Sequence, residues 1–152
     1  MYRRTFAFGL VTLPIVSPCY AGTWTLINQE EAERDAVAPR FRGAVLPTIE
    51  MPGAPIIEVD QPDQTTAIRT PVNIRLRFRP KGGSKIDLSS FRASYGWLGI
   101  DITARIIEHA QMNASGLVAD NAEIPLGHHR VTLEIADNMH RLGSRVFDFT
   151  VV

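Results

Sequence analysis

The residues of this chain best suited to chemistry are its histidines and two of its methionines. His109, His128, His129 and His140, with Met112 and Met139, offer imidazole and thioether donors, and ligands of this kind suit copper in an exported protein. His128, His129, Met139 and His140 form the candidate metal set. Their spacing already limits it: adjacent residues on a strand point to opposite faces, so His128 and His129 do not both close one simple site.

A second candidate is cationic. Arg75, Arg77 and Arg79 stand at alternate positions, and the segment from Arg69 to Lys85 contains no acid. Three guanidinium groups on one strand face form a strip for an anionic glycan or another envelope component. Equally, they can pair across strands with Glu58, Asp60, Asp120 and Glu123. The third candidate is Trp97, in Tyr95-Gly96-Trp97-Leu98-Gly99. A tryptophan between glycines is placed either to project from a loop tip and stack on a partner, or to fold back and cap the domain.

Catalytic signatures are missing from the sequence. Arg92-Ala93-Ser94-Tyr95-Gly96 has the serine of a nucleophile elbow without the leading glycine. There is no His-Glu-x-x-His, no phosphate-cradling loop and no dinucleotide fingerprint. The expectation is a protein that is not an enzyme and carries no cofactor.

The elements that must position these residues read as strands. Val72-Asn73-Ile74-Arg75-Leu76-Arg77-Phe78-Arg79 alternates apolar and polar throughout, as do Ile100 to Ile106, Val131 to Ile135 and Phe147 to Val151. Ile57 to Asp60, Phe91 to Tyr95 and Leu117 to Ile124 are further candidates. Alternation puts the apolar members on one sheet face. Gly82-Gly83, Asn113 to Gly116, Pro125 to Gly127 and Asp137 to Gly143 supply the turns. About seven one-sided strands must bury their apolar faces against each other, which predicts an all-β, two-sheet sandwich over 55–152.

The N-terminal third reads differently. Arg3 and Arg4 precede an apolar run from Phe6 to Val16, and Cys19-Tyr20-Ala21 supplies small residues spaced for cleavage, so 1–21 reads as a secretory signal peptide. The apolar run is too short to span a bilayer, and no transmembrane segment is expected after cleavage. Arg3-Arg4 is compatible with either general or twin-arginine export, and Pro18 argues against lipidation of Cys19. Cleavage after Ala21 starts the mature chain at Gly22. Residues 22–54, with Pro39, Pro47, Pro52, Gly43 and Gly53, show no clear period and predict a flexible spacer. A short helix near Asn28 to Asp35 has little apolar periodicity behind it.

Gly127-His128-His129-Arg130-Val131, running into Asp137 and then Phe147-Asp148-Phe149-Thr150-Val151, resembles the last two strands of bacterial immunoglobulin-like domains. Ile86-Asp87-Leu88-Ser89-Ser90 is similar to the start of a middle strand in that family. His140-Arg141 departs from it, since Gly-Asn is more usual there. The resemblance implies an immunoglobulin-like sandwich over 55–152 and makes His129 a strand residue of the scaffold. It does not name a function. Small periplasmic copper-binding proteins are similar in scaffold and place a histidine at the mature N-terminus and an Asp-x-His near the last turn, whereas the expected mature chain here begins with Gly22. This chain has Asp137-Asn138-Met139-His140, one residue out of step.

Composition bounds the rest. The 152 residues hold 16 Lys+Arg against 16 Asp+Glu, 45% hydrophobic residues and one cysteine. Net neutrality argues against a nucleic-acid binder, and a single cysteine excludes an internal disulfide framework. The expected protein is a periplasmic or secreted binding module whose partner is an unknown protein or an anionic envelope component, with copper binding as the alternative.

Overall fold

The structure, a computed structural model, describes residues 22–39 and 51–152. The expected signal peptide at 1–21 and part of the expected spacer, 40–50, lie outside the described residues. The described chain runs β1 (Trp24–Thr25), α1 (Gln29–Val37), β2 (Ile56–Gln61), β3 (Val72–Arg79), β4 (Ile86–Tyr95), β5 (Ile100–Asp101), α2 (Thr103–His109), β6 (Ala110–Asn113), β7 (Gly116–Glu123), β8 (Gly127–Asp137) and β9 (Leu142–Val151). One sheet has the order β1-β7-β3-β2, with β6 also paired to β7, and the other has the order β5-β4-β8-β9. The fold is an all-β sandwich.

Alternation decides what lies between the sheets. On β3, Val72, Leu76 and Phe78 are buried. They meet Phe91 and Ala93 of β4, Val131, Leu133 and Ile135 of β8, and Phe147, Phe149 and Val151 of β9 in one core. Phe78 and Phe91 touch across the gap with ring centroids 6.1 Å apart. Each such aromatic stabilises the fold by roughly 1.5–3 kcal/mol through burial alone.

Two expectations are corrected. Ile100 to Ile106 is not one strand: after Asp101 the chain turns into α2. Ile102 and Ile106 lie four apart and are both buried, a spacing that fits a helix face and a strand face equally. Local polar bonds select the helix. Asp101 Oδ1 accepts from the Thr103 amide, and Thr103 Oγ1 accepts from the Ala93 amide of β4 at 2.9 Å.

The second correction concerns the start of the expected spacer. Residues 22–38 are built into the domain. β1 pairs in parallel with β7, and Trp24, Leu26 and Ile27 are buried. Asn28 and Glu31 form a reciprocal capping box at the start of α1. The buried residues of α1 are Glu31 and Asp35, so no apolar stripe announces this helix in the sequence. Arg105 of α2 supplies what the stripe would have supplied. Its guanidinium grips Glu31 with bonds of 2.6 and 2.7 Å and also donates to Leu26 O.

Candidate functional site

The four residues of the candidate metal set are not brought together. His129 faces the core and is 2% exposed, whereas its neighbour His128 faces solvent, as the strand period requires. His128 stands at the start of β8, and Met139 and His140 lie in the turn beyond its end. Nine residues of strand at about 3.3 Å each separate the two groups by about 30 Å. Among the described residues, no group of three or more His, Cys, Asp or Glu is placed to hold a metal.

His129 has another occupation. Its Nδ1 accepts from the Tyr95 hydroxyl at 2.9 Å, and its Nε2–H donates to Pro125 O at 2.7 Å. Both ring nitrogens are used, in one tautomer, by the neutral ring. Burial pushes the imidazole pKa down, outweighing the bond to Pro125. Burial likewise pushes the Tyr95 hydroxyl up to about 12, with Asp35 and Glu31 adding to it. The pair ties β4, β8 and the β7–β8 connection together.

The last turn is organised by Asp137 rather than by His140. The Asp137 carboxylate is completely buried. Oδ1 accepts from the amides of Met139 and Arg141, and Oδ2 accepts from Arg141 Nε at 2.8 Å. Desolvation would raise its pKa, but the Arg141 amide and guanidinium and the Met139 amide outweigh that and hold it at about 2. His140 takes a positive φ of 59°, and Met139 is exposed.

The arginine strip does lie on one strand face, and its charge is met across the strands. β3 runs between β2 and β7. Arg75 pairs with Asp120, Arg77 with Asp60 and Glu58, and Arg79 with Glu58, at 2.7–3.5 Å. Of the acids expected to pair with the strip, Glu123 makes none of these contacts. Most of these side chains are a third or more exposed, so each pair contributes only about 0–1 kcal/mol. Arg77→Glu places a third carboxylate beside Glu58 and Asp60. It is expected to cost about 1 kcal/mol in urea denaturation; an unchanged midpoint would show that these pairs contribute nothing.

Trp97 neither projects freely nor disappears into the core. It is 41% exposed, and the Arg130 guanidinium lies 4.2 Å from its ring centroid. Arg130 is held in turn by a bidentate bond to Asp148. The Trp97 amide donates to the buried Asp35 carboxylate of α1. Gly96 and Gly99 on either side have φ of 70° and 63°. A Cβ on Gly96 would run into the Asp35 carboxylate. Gly96→Ala is therefore expected to strain the turn and push α1 off it, costing about 2 kcal/mol or more. Amide exchange in Gln29–Val37 should rise together with that loss, and unchanged protection there would refute the docking role.

No protein-family profile matches the chain, and no curated protein matches it in sequence. Among solved structures the similarity is one of shape. The crystal structure of CopC from Methylosinus trichosporium OB3b is one match. It covers 64% of this chain and 92% of that one, with a TM-score of 0.44 and 15% identity. At that similarity no residue role passes from CopC to this chain.

Sequence reasoning missed Asp35, Arg105 and the Tyr95–His129 pair as parts of the site. The Asn28-x-x-Glu31 capping box was the one local sign of α1. The partners of Asp35 and Glu31 lie more than sixty residues away, and no local pattern reports them.

Proposed function

We infer that this protein is an exported, non-catalytic binding module with an immunoglobulin-like sandwich, working in the periplasm or at the exterior of a bacterium. Its contact point is the Trp97 tip. One observation carries this: an exposed tryptophan is held in one orientation by Arg130 on its ring, Asp35 on its amide and two left-handed glycines. Rigid aromatics lose little entropy when a partner covers them, which is why they anchor interfaces. Leu98 beside it is 55% exposed and extends the apolar surface. The Arg75/Arg77/Arg79 strip is a weaker contact surface, because Glu58, Asp60 and Asp120 already answer its charge.

A photo-crosslinking residue at Leu98, compared in the living host with one at Val146 on β9, tests the contact point. Crosslinks at 98 that vanish with Trp97→Ala support the reading, and equal crosslinking at both positions overturns it. Export is read from the N-terminal mass of the protein recovered from its host, with Gly22 as the expected first residue. Among the described residues no helix is long and apolar enough to cross a membrane.

The second reading, a copper-binding β-sandwich protein, loses the ligand set of His128, His129, Met139 and His140.

A further inference from the structure

The inward row of β9 contains one residue out of place in a core. Gly143, Phe147, Phe149 and Val151 are buried, whereas Arg145 is exposed. Arg145 pairs with buried Leu133 across β8 and so shares its face. It makes no ion pair among the described residues. A long cationic side chain at such a place runs its stem along apolar surface and keeps its head in water. An inward charge also blunts a strand edge against pairing, and that is the competing explanation of this arginine.

Beside Arg145 the two sheets do not close. β2 and β9 run in one direction along a seam: the Pro55 carbonyl lies against Gly143 at its start, and Ile68 bridges Val151 in parallel at its end. Counting from Pro55 and Gly143 puts Arg145 level with Ile57, and Phe147 level with Val59. Just beyond, the β2–β3 ladder slips between Val59 and Gln61, and the β3–β7 ladder slips between Val72 and Ile74. A slipped ladder bends its strand out of the sheet. Behind the slip lies a cavity of about 40 Å³ between the sheets. Val131, Leu133 and Phe147 line it on one side, and Val59, Gln61 and Ile74 form its partly open rim. The surface it presents is entirely apolar. An apolar void stays dry and accepts apolar groups; at roughly 10–15 Å³ for each water-sized group it holds about three methyl or methylene groups.

We propose that the β2–β9 seam binds an alkyl carboxylate, with the end of the chain in the apolar cavity and the carboxylate on Arg145. Two independent features point to this one ligand. The cavity offers a polar group nothing to bond, and a cation with no ion-pair partner among the described residues stands one inward place from its wall at Phe147. A purely apolar molecule leaves the arginine without a role, and a purely anionic one leaves the cavity empty. The site shares no residue with the Trp97 tip, so failure of either reading leaves the other intact.

The test is titration of the protein with alkyl carboxylates from butanoate to decanoate. Binding is followed by NMR shifts of the Val131 and Leu133 methyl groups, with Leu98 as a surface control. The expected result is one site per chain, with affinity rising about fourfold per methylene until the cavity is full and level thereafter. 1-Octanol, which has the chain without the charge, is expected to bind at least about fivefold more weakly than octanoate. Arg145→Gln, an exposed change, should bring octanoate down to the affinity of octanol and leave octanol unchanged. Val131→Ile adds a methylene inside the cavity and should weaken both ligands about fourfold without lowering the melting temperature. If it does lower it, Val72→Ile on the facing sheet makes the same comparison. Shifts at Leu98 as large as those at Leu133, or equal octanoate affinity in Arg145→Gln, overturn the site. Self-association of Arg145→Gln with octanoate affinity retained assigns the arginine to edge protection instead. Arg145-dependent pelleting with phosphatidylglycerol vesicles, with no response to octanoate, overturns the free-chain ligand in favour of a bilayer.

Discussion

Asp137→Asn is expected to lower the melting temperature by about 10 °C or more. The amide has the size of the carboxylate and can still accept from the Met139 and Arg141 amides. Its nitrogen, however, would face Arg141 Nε and Nη2, setting donor against donor where two charge-assisted bonds now stand. Arg141 is itself only 20% exposed and packs against Gly53, so its charge cannot simply swing into water. The pH behaviour follows from the pKa of about 2. A carboxylate whose folded pKa is depressed adds stability that is complete above its unfolded value, near 4, and is lost as pH falls towards 2. Thermal melts of wild type and Asp137→Asn at pH 7 and pH 3 should therefore differ more at pH 7. An equal difference at both would show that the carboxylate's charge is not what holds the turn.

His129→Ala is expected to cost about 3 kcal/mol, from the cavity and from the stranded Tyr95 hydroxyl and Pro125 carbonyl. It should also change the pH profile. The folded imidazole has a depressed pKa, so the unfolded chain binds a proton that the folded chain resists. Its contribution is present above the ordinary value of 6.5 and is lost as pH falls through the lower folded value. Wild-type stability in urea should thus drop between pH 7.5 and 5.5, and His129→Ala should drop less. Parallel profiles would remove His129 as the source. Tyr95→Phe separates the two roles, because it deletes the hydroxyl while leaving the imidazole buried against Phe149.

Both predictions fall on residues already prominent in the sequence, though not for the roles first apparent. Asp137 was visible as the aspartate before the final strand, and the structure makes it the centre of the turn. His129 stood in a cluster of possible ligands, and burial turns it into a hydrogen-bonded strut. A histidine's neighbours decide between those roles, and its neighbours here are Tyr95 on another strand and Pro125 in a connection.

Much of the sandwich was legible because alternation is a local property. Val72 to Arg79 states its own inner and outer faces, and the two-sheet architecture follows from the apolar faces having to be covered. The place of β3 between β2 and β7 came from the expected sandwich topology, which set Glu58, Asp60 and Asp120 beside its arginines, as the ion pairs show. What only the tertiary structure decided depends on pairs distant in sequence. Arg105 makes a helix of Gln29–Val37 worth docking, and Asp35 reaches the Trp97 turn. Trp24 gives His109 a surface to lie on. Where a segment is held by buried charge, with no apolar stripe, its stability resides in the partner, and the segment's own sequence is silent about it.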